Sequence, residues 1–270
     1  MDREIDAACA RLREHRADLL LANIPYVPLL AARRLGLPAL AMCSLNWAYI
    51  YRGLCAGMPG SERIHREMLE SYASAQSFIA LEPGMEMHHL GNVIHTGPVA
   101  NIGRPERVKM LAKQLLPDHT HLVTVSMGGI ATELPVSRWP RMRGVAWVIP
   151  DSAEARRDDM VTHAAFDSPF VDILCASDAL ITKPGYGAFA EAACNGVPVL
   201  YVPRVDWPEA PFLVRWLQDR GTCREIGYDD LVSDRLIEEL GALWQHPRPK
   251  RVAPTGIAEA ADIVHSFLVQ

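Results

Sequence analysis

The chain has 270 residues, 49% of them apolar and 22% charged, with a formal net charge of -5. That length holds one large or two medium domains, and the composition is that of an ordinary soluble globular protein. An acidic balance without a basic run excludes a nucleic-acid footprint, so any positive site must be local.

In chain order, residues 2–16 carry Ile5, Ala8, Cys9 and Leu12 at spacings of three and four, which predicts an amphipathic helix. The apolar run at 18–22 reads as a buried strand, 28–35 as a helix stopped by Gly36 and Pro38, and 40–44 as a second strand. Trp47, Tyr49 and Tyr51 then alternate as on a strand or along a loop. A helix at 61–75 puts Ile64, Met68, Tyr72 and Ala75 on one face, and 78–81 makes a third strand. Residues 82–99, with Pro83, Gly84, Gly91, Gly97 and Pro98, read as the irregular stretch in which the chain leaves its first domain.

Helix resumes at 104–116, and a strand at 121–126 runs into the Gly-rich turn Met127-Gly128-Gly129. A strand at 145–149 and a short helix at 168–176 follow. Residues 178–182 form a buried strand, Lys183-Pro184-Gly185-Tyr186-Gly187 a turn, 188–195 a helix stopped by Gly196 and Pro198, and 199–203 a strand. Strand, Gly-rich turn, helix, strand is a parallel crossover. A helix at 208–220, a strand at 222–226 and helices at 229–244 and 257–268 complete the chain. The expectation is an α/β protein of two Rossmann-like domains with a cleft between them. The bounds are 1–97, 98–252, and a last segment, 253–270, returning to the first domain.

The six cysteines (Cys9, Cys43, Cys55, Cys175, Cys194, Cys223) are scattered with no C-x-x-C pair, which predicts free thiols in a reducing compartment. The first ten residues lack the pattern of a signal peptide, and the uncharged stretch nearest a membrane span carries Pro38 and Asn46. A cytoplasmic location is expected, with peripheral membrane contact left open.

The crossover at 178–203 carries the chemistry. Ligands of open α/β sheets bind outside the carboxyl ends of the strands, where a helix start offers unpaired N–H groups to an anion. Glycines let a phosphate approach the backbone, Lys183 is either an added charge or a surface cation, and Glu191 is placed to accept from sugar hydroxyls rather than sit as a solvated helix carboxylate. Asp206 reads equally as the cap of the helix from 208 or as a sugar ligand. Trp207 either stacks on a sugar or closes the cleft. His119 and His121 have strand spacing but fall at the amino end of their strand, away from the ligand edge, so no metal is assigned to them. His88 and His89 read as a solvated loop. His95, at the domain junction, is the one candidate for a catalytic group beside its structural reading. Ser126-Met127-Gly128-Gly129 lacks G-x-S-x-G and is no nucleophile elbow.

SMGG at 126–129 together with TKPGYGAFAEAACNGVPVLYVP at 182–203 resembles the C-terminal half of GT-B glycosyltransferases. The pattern is similar to the MurG-type family, glycosyltransferase family 28, and to the glycosyltransferase-like half of plant arabinokinases. ADLLLANIPYVPLLAARRLGLPALAMCSLNWAYIY at 17–51 and HTGPV at 95–99 are similar to the later N-terminal domain and the domain crossing of those proteins. The resemblance spans about 20–226 and implies a nucleotide-sugar, with uracil the usual base, as donor substrate and no cofactor or metal. It places Glu191 on the ribose, Gly128, Gly129, Gly185, Tyr186 and Gly187 around the phosphates with Ser126 nearby, backbone near Phe170 and Val171 on the base, and Asp206 and Glu209 on the transferred sugar. Two departures stand out. The family opens on a strand and a Gly-rich loop, often bearing His, that faces the acceptor; this sequence opens on a helix, so either the start site is misassigned, the sequence is truncated or the N-terminal domain is shortened, and the general base is unassigned. Its sugar-binding pair is Asp206-Trp207-Pro208-Glu209 rather than an acid followed by Gln. A shortened first domain would expose a sheet edge and favour a homo-oligomer or a partner subunit. Beside the enzyme, a non-catalytic nucleotide-sugar-binding subunit and a nucleotide-sugar hydrolase or epimerase are the alternatives; the acceptor is unknown.

Overall fold

The computed structural model describes residues 2–128, 134–153 and 157–269. They build two parallel sheets, and the chain divides into two compact units. The first comprises residues 1–99, 206–212 and 254–270; the second comprises 100–205 and 213–253. Residues 206–212 thus cluster with the first unit, where the sequence had placed them in a continuous 98–252 domain. Among the described residues no helix is long and apolar enough to cross a membrane.

The first unit contains α1 (Asp2–Glu14), β1 (Leu20–Ala22), α2 (Val27–Leu35), β2 (Ala39–Cys43), α3 (Trp47–Cys55), α4 (Ser61–Ala73), β3 (Ser77–Leu81) and β4 (Val93–Thr96). Its sheet runs β1-β2-β3-β4 with every pair parallel. Small residues on one face, Ala22, Ala39, Ala41 and Ala80, let Leu29 and Ala32 of α2 and Met68 and Tyr72 of α4 pack closely on it around Phe78. The alternation of Trp47, Tyr49 and Tyr51 proves to be helical. Asn46 stays extended and its side chain accepts from the Tyr49 N–H at 2.9 Å, a cap that starts α3 and sets Trp47, Ile50, Tyr51 and Leu54 at helical spacing. The stretch read as irregular contains β4, a short edge strand whose middle residues are exposed and carry no apolar run.

The second unit contains α5 (Glu106–Leu115), β5 (His121–Val125), β6 (Val145–Ile149), β7 (Met160–Thr162), α6 (Phe170–Ala176), β8 (Ala179–Thr182), α7 (Tyr186–Asn195), β9 (Val199–Tyr201), α8 (Ala210–Arg220), β10 (Cys223–Glu225) and α9 (Asp234–Trp244). The first turn of α8 counts with the first unit. The sheet order is β10-β9-β8-β5-β6-β7, again all parallel. Helices cover both faces, so β6 and β8 are buried along their whole length and are apolar almost throughout. One face packs Val123, Trp147, Ile181 and Leu200 against Leu236 and Leu240 of α9. The other packs Leu122, Ala146 and Val148 against Val108 and Ala112 of α5 and Ile173 of α6. The region read as one helix at 229–244 is a 3-10 turn, Asp229–Val232, then α9, because Ser233 interrupts it and accepts from the Arg235 N–H. The chain ends on α10 (Gly256–Leu268), in the first unit. It starts flush against residues 97–98: Gly256 N–H donates to the Pro98 carbonyl at 3.1 Å, and a Cβ on Gly256 would lie 2.1 Å from the Gly97 oxygen.

Candidate functional site

In the second unit the chain runs outward through β5, β6 and β7, then returns to lay β8, β9 and β10 on the other side. Strands β5 and β8 are therefore neighbours whose connections depart in opposite directions, and the carboxyl ends of such a pair leave a crevice. Both Gly-rich turns fall there. Ser126 N–H donates to the Ile181 carbonyl at 2.9 Å, tying the end of β5 to β8. Gly128 follows with φ of 73°, a left-handed conformation natural to glycine; Gly129 lies outside the described residues. On the β8 side Lys183 and Pro184 turn the chain, and Gly185 is the N-cap of α7, a residue with no side chain of its own to cap the helix. Tyr186 and Gly187 are the first residues of α7, and a Cβ on Gly187 would meet nothing within 4 Å. The backbone N–H groups of a helix's first turn have no partner within the helix and form its positive end.

The charges at this edge are arranged to match. Burial and then the Arg204 guanidinium, just past β9, lower the Lys183 pKa, which places two cations together in a protein of net negative charge. Glu191, a turn and a half into α7, is half-buried, and desolvation raises its pKa. Hydrogen bonds from the Asn101 side chain and backbone oppose that rise. Phe170 and Val171 open α6, and the Phe170 ring lies edge-on to His163 with centroids 5.5 Å apart. His163 follows β7, and its Nε2 lies 3.1 Å from the Val125 carbonyl at the end of β5. A carbonyl only accepts, so Nε2 carries the proton and Nδ1 is left as an acceptor. Burial holds this imidazole below its ordinary pKa, against an opposing pull from Asp151. Arg204, Asn101 and His163 had no signal in the sequence: each reaches the edge only because β9, the 100–104 segment and β7 do.

Asp206 and Glu209 lie in the first unit. Asp206 is exposed, whereas Glu209 is 4% exposed with both carboxylate oxygens engaged. Ser44 Oγ donates to its Oε1 at 2.6 Å and Trp207 Nε1 to its Oε2 at 3.0 Å. Trp207 in turn meets Trp47 edge-on at 6.4 Å. The Glu209 side chain is thus used in fastening 206–212 to the end of β2 and to α3. His95 is on edge strand β4 of the first unit and is exposed. At the amino end of the second sheet, His121 stacks on Trp244 at 4.1 Å and His119 Nδ1 contacts the Leu116 carbonyl. A hollow of about 640 Å³ beside them includes Pro117, Arg141 and Gly144. It lies at the opposite end of the strands from the Gly-rich turns, and Arg141 is paired there with Asp158 at 2.6 Å. All six cysteines are free.

No family model matches the chain. It is similar to L-arabinokinase of Arabidopsis thaliana, 23% identical over 209 residues that make up 77% of this chain and 20% of that protein. It is also similar to an uncharacterized glycosyltransferase, MK0977, of Methanopyrus kandleri, 22% identical over 270 aligned residues covering 95% of this chain and 78% of the other. Among solved structures, the glycotransferase of kitacinnamycin aligns with a TM-score of 0.63 at 17% identity, over 90% of this chain and 72% of that one. A UDP-N-acetylglucosamine 2-epimerase so described from Listeria monocytogenes aligns with a TM-score of 0.59 at 15% identity, over 99% and 78%. The two parallel units therefore have the fold of GT-B glycosyltransferases.

Proposed function

We propose that the chain is a metal-independent glycosyltransferase that takes a nucleotide-sugar, first of all a UDP-sugar, on its second unit and passes the sugar to an acceptor hydroxyl. One observation carries this: the glycine-led start of α7 and the half-buried Glu191 of the same helix stand at the β5/β8 switch point. In this reading the diphosphate rests on the amides of Gly185, Tyr186 and Gly187 beside Ser126 and Gly128. Glu191 accepts from the ribose hydroxyls, and the base lies against the start of α6 at Phe170 and Val171. The acceptor oxygen bonds to the anomeric carbon while the bond from that carbon to the diphosphate oxygen breaks. The electron pair leaves with the diphosphate, and the acceptor proton passes to a base that stays unassigned. In this reading Lys183, Arg204 and the helix start supply the positive charge and dipole near which negative charge builds up on the leaving diphosphate, and such preorganised groups stabilise it without solvent reorganisation. The MurG-type likeness of the 182–203 motif supports this placement.

Calorimetry with UDP tests it. Glu191→Ala is expected to weaken binding by about 1.5–3 kcal/mol, the contribution of hydrogen bonds to a charged group, with Glu191→Gln losing less. Wild-type protein that binds no UDP, or a Glu191→Ala variant that binds it undiminished, sinks the assignment. The fold likeness to the Listeria epimerase supports a second reading, hydrolysis or epimerisation at the same donor site. Mass analysis of products from UDP-sugars with water as the sole acceptor separates the two.

A further inference from the structure

Past the carboxyl ends of β1 and β2, the first unit has an apolar hollow of about 370 Å³. Tyr26 lines it from the start of α2, Trp47, Ile50, Tyr51 and Leu54 from α3, and Met68 from α4. Trp47 and Leu54 are 39% and 53% exposed, so these side chains surround open space rather than fill the core. The walls are tied to one another. The buried Tyr72 of α4 donates its hydroxyl to the Ile24 carbonyl at 2.5 Å and accepts from the Trp47 N–H at 3.2 Å. Ser71 Oγ donates to the Tyr26 carbonyl at 2.6 Å. The starts of α2 and α3 are thereby both fastened to α4. Ile24 is held at φ of 75°, a left-handed backbone that a β-branched residue keeps only where its surroundings over-determine it. The Trp47 ring meets the Trp207 ring edge-on at 6.4 Å, and Trp207 Nε1 is itself held by Glu209. Walls fixed in this way keep the hollow open.

The lining selects its occupant. None of the lining residues is charged, which excludes a phosphate, a nucleotide or a carboxylate, since nothing there would offset its desolvation. None belongs to a strand, so an extended peptide finds no sheet edge to join. One turn of helix, about 10 Å across and 5.4 Å long, already displaces about 420 Å³, so a helix does not fit either. What fits is a small molecule: clefts for these run from about 300 to 1,000 Å³. Three aromatic rings and a methionine favour a flat aromatic one. The Tyr26 and Tyr51 hydroxyls have no hydrogen-bond partner among the described residues, and each can donate to an oxygen on that molecule. We infer that this hollow is a binding site for a small, flat aromatic molecule carrying a hydroxyl or carbonyl oxygen. The inference goes beyond the donor reading and uses nothing of the second unit.

The test reads Met68 directly, in protein labelled with methyl-carbon-13 methionine and titrated with 2-naphthol. The Met68 signal is the one missing from Met68→Leu, and Met110, 55% exposed in the second unit, is the control. 2-Naphthol is expected to shift Met68 saturably and to leave Met110 in place. Leu54→Asp puts a charge on the rim at an exposed position and is expected to lower that affinity about tenfold. Leu54→Ala, a milder change should the aspartate disturb α3, is expected to lower it by less. Tyr26→Phe combined with Tyr51→Phe is expected to weaken 2-naphthol about fivefold, as for one net hydrogen bond, and to leave naphthalene unchanged. A Met68 signal unmoved by 2-naphthol overturns the proposal, as does an affinity unaltered in both Leu54 variants. So does a double tyrosine variant that keeps its full affinity for 2-naphthol, or that loses naphthalene equally. UDP takes no part in the titration, so a second unit that binds no UDP removes the donor reading and leaves this site standing.

Discussion

Glu191 and Glu209 are both acids drawn out of water, and their partners give them different work. Glu209 is enclosed by its own unit, with Ser44 and Trp207 as donors. Glu209→Gln leaves one of those donors facing an amide N–H₂, and is expected to lower stability by about 1–3 kcal/mol, the cost of stranding a buried polar group. Thermal melts check the loss, and affinity for a UDP-sugar is expected to stay at the wild-type value; lost UDP-sugar affinity with an unchanged melt and unchanged UDP affinity would make Glu209 a ligand of the transferred sugar. His163 supplies a pH dependence. Its folded pKa is depressed from the ordinary imidazole value of 6.5, so the unfolded chain binds the proton more readily. The contribution is complete above pH 6.5 and is lost as pH falls from there through the folded pKa. His65, lowered by burial and by Arg52, acts with the same sign. The check is therefore comparative: between pH 7.5 and 5, about the window in which imidazoles titrate, the melting temperature of His163→Gln is expected to fall less steeply than that of wild type.

Capping decides what α3 is. Asn46→Ala removes the acceptor for Tyr49 N–H and is expected to cost about 1 kcal/mol, measurable by denaturant titration. The cap was visible as an asparagine before an apolar run, but the aromatic alternation of 47–51 masked it. Elsewhere legibility follows burial. Strands β5, β6 and β8 announce themselves because a strand covered on both faces must be apolar almost without interruption. Strands β4 and β7 are three or four residues with polar members, and they are strands only because Ile79 pairs Ile94 and Val148 pairs Val161. The candidate site divides in the same way. Its glycines and Glu191 form a local pattern on one crossover. Asn101, some ninety residues before its partner Asn195, is placed by tertiary hydrogen bonds that no spacing encodes.

At the scale of the whole molecule, both sheets are entirely parallel, so every strand pairing spans an intervening connection and none is a hairpin. The two units differ in how the chain supplies them. The second draws on 100–205 and 213–253, whereas the first needs 1–99, 206–212 and the closing 254–270. Domains ordinarily close in the order in which the ribosome delivers them. Here every segment of the second unit is in place once residue 253 has been added, whereas the first unit still awaits α10. The unit that opens earlier along the chain therefore closes later, with part of its sheet bare until 254–270 arrive.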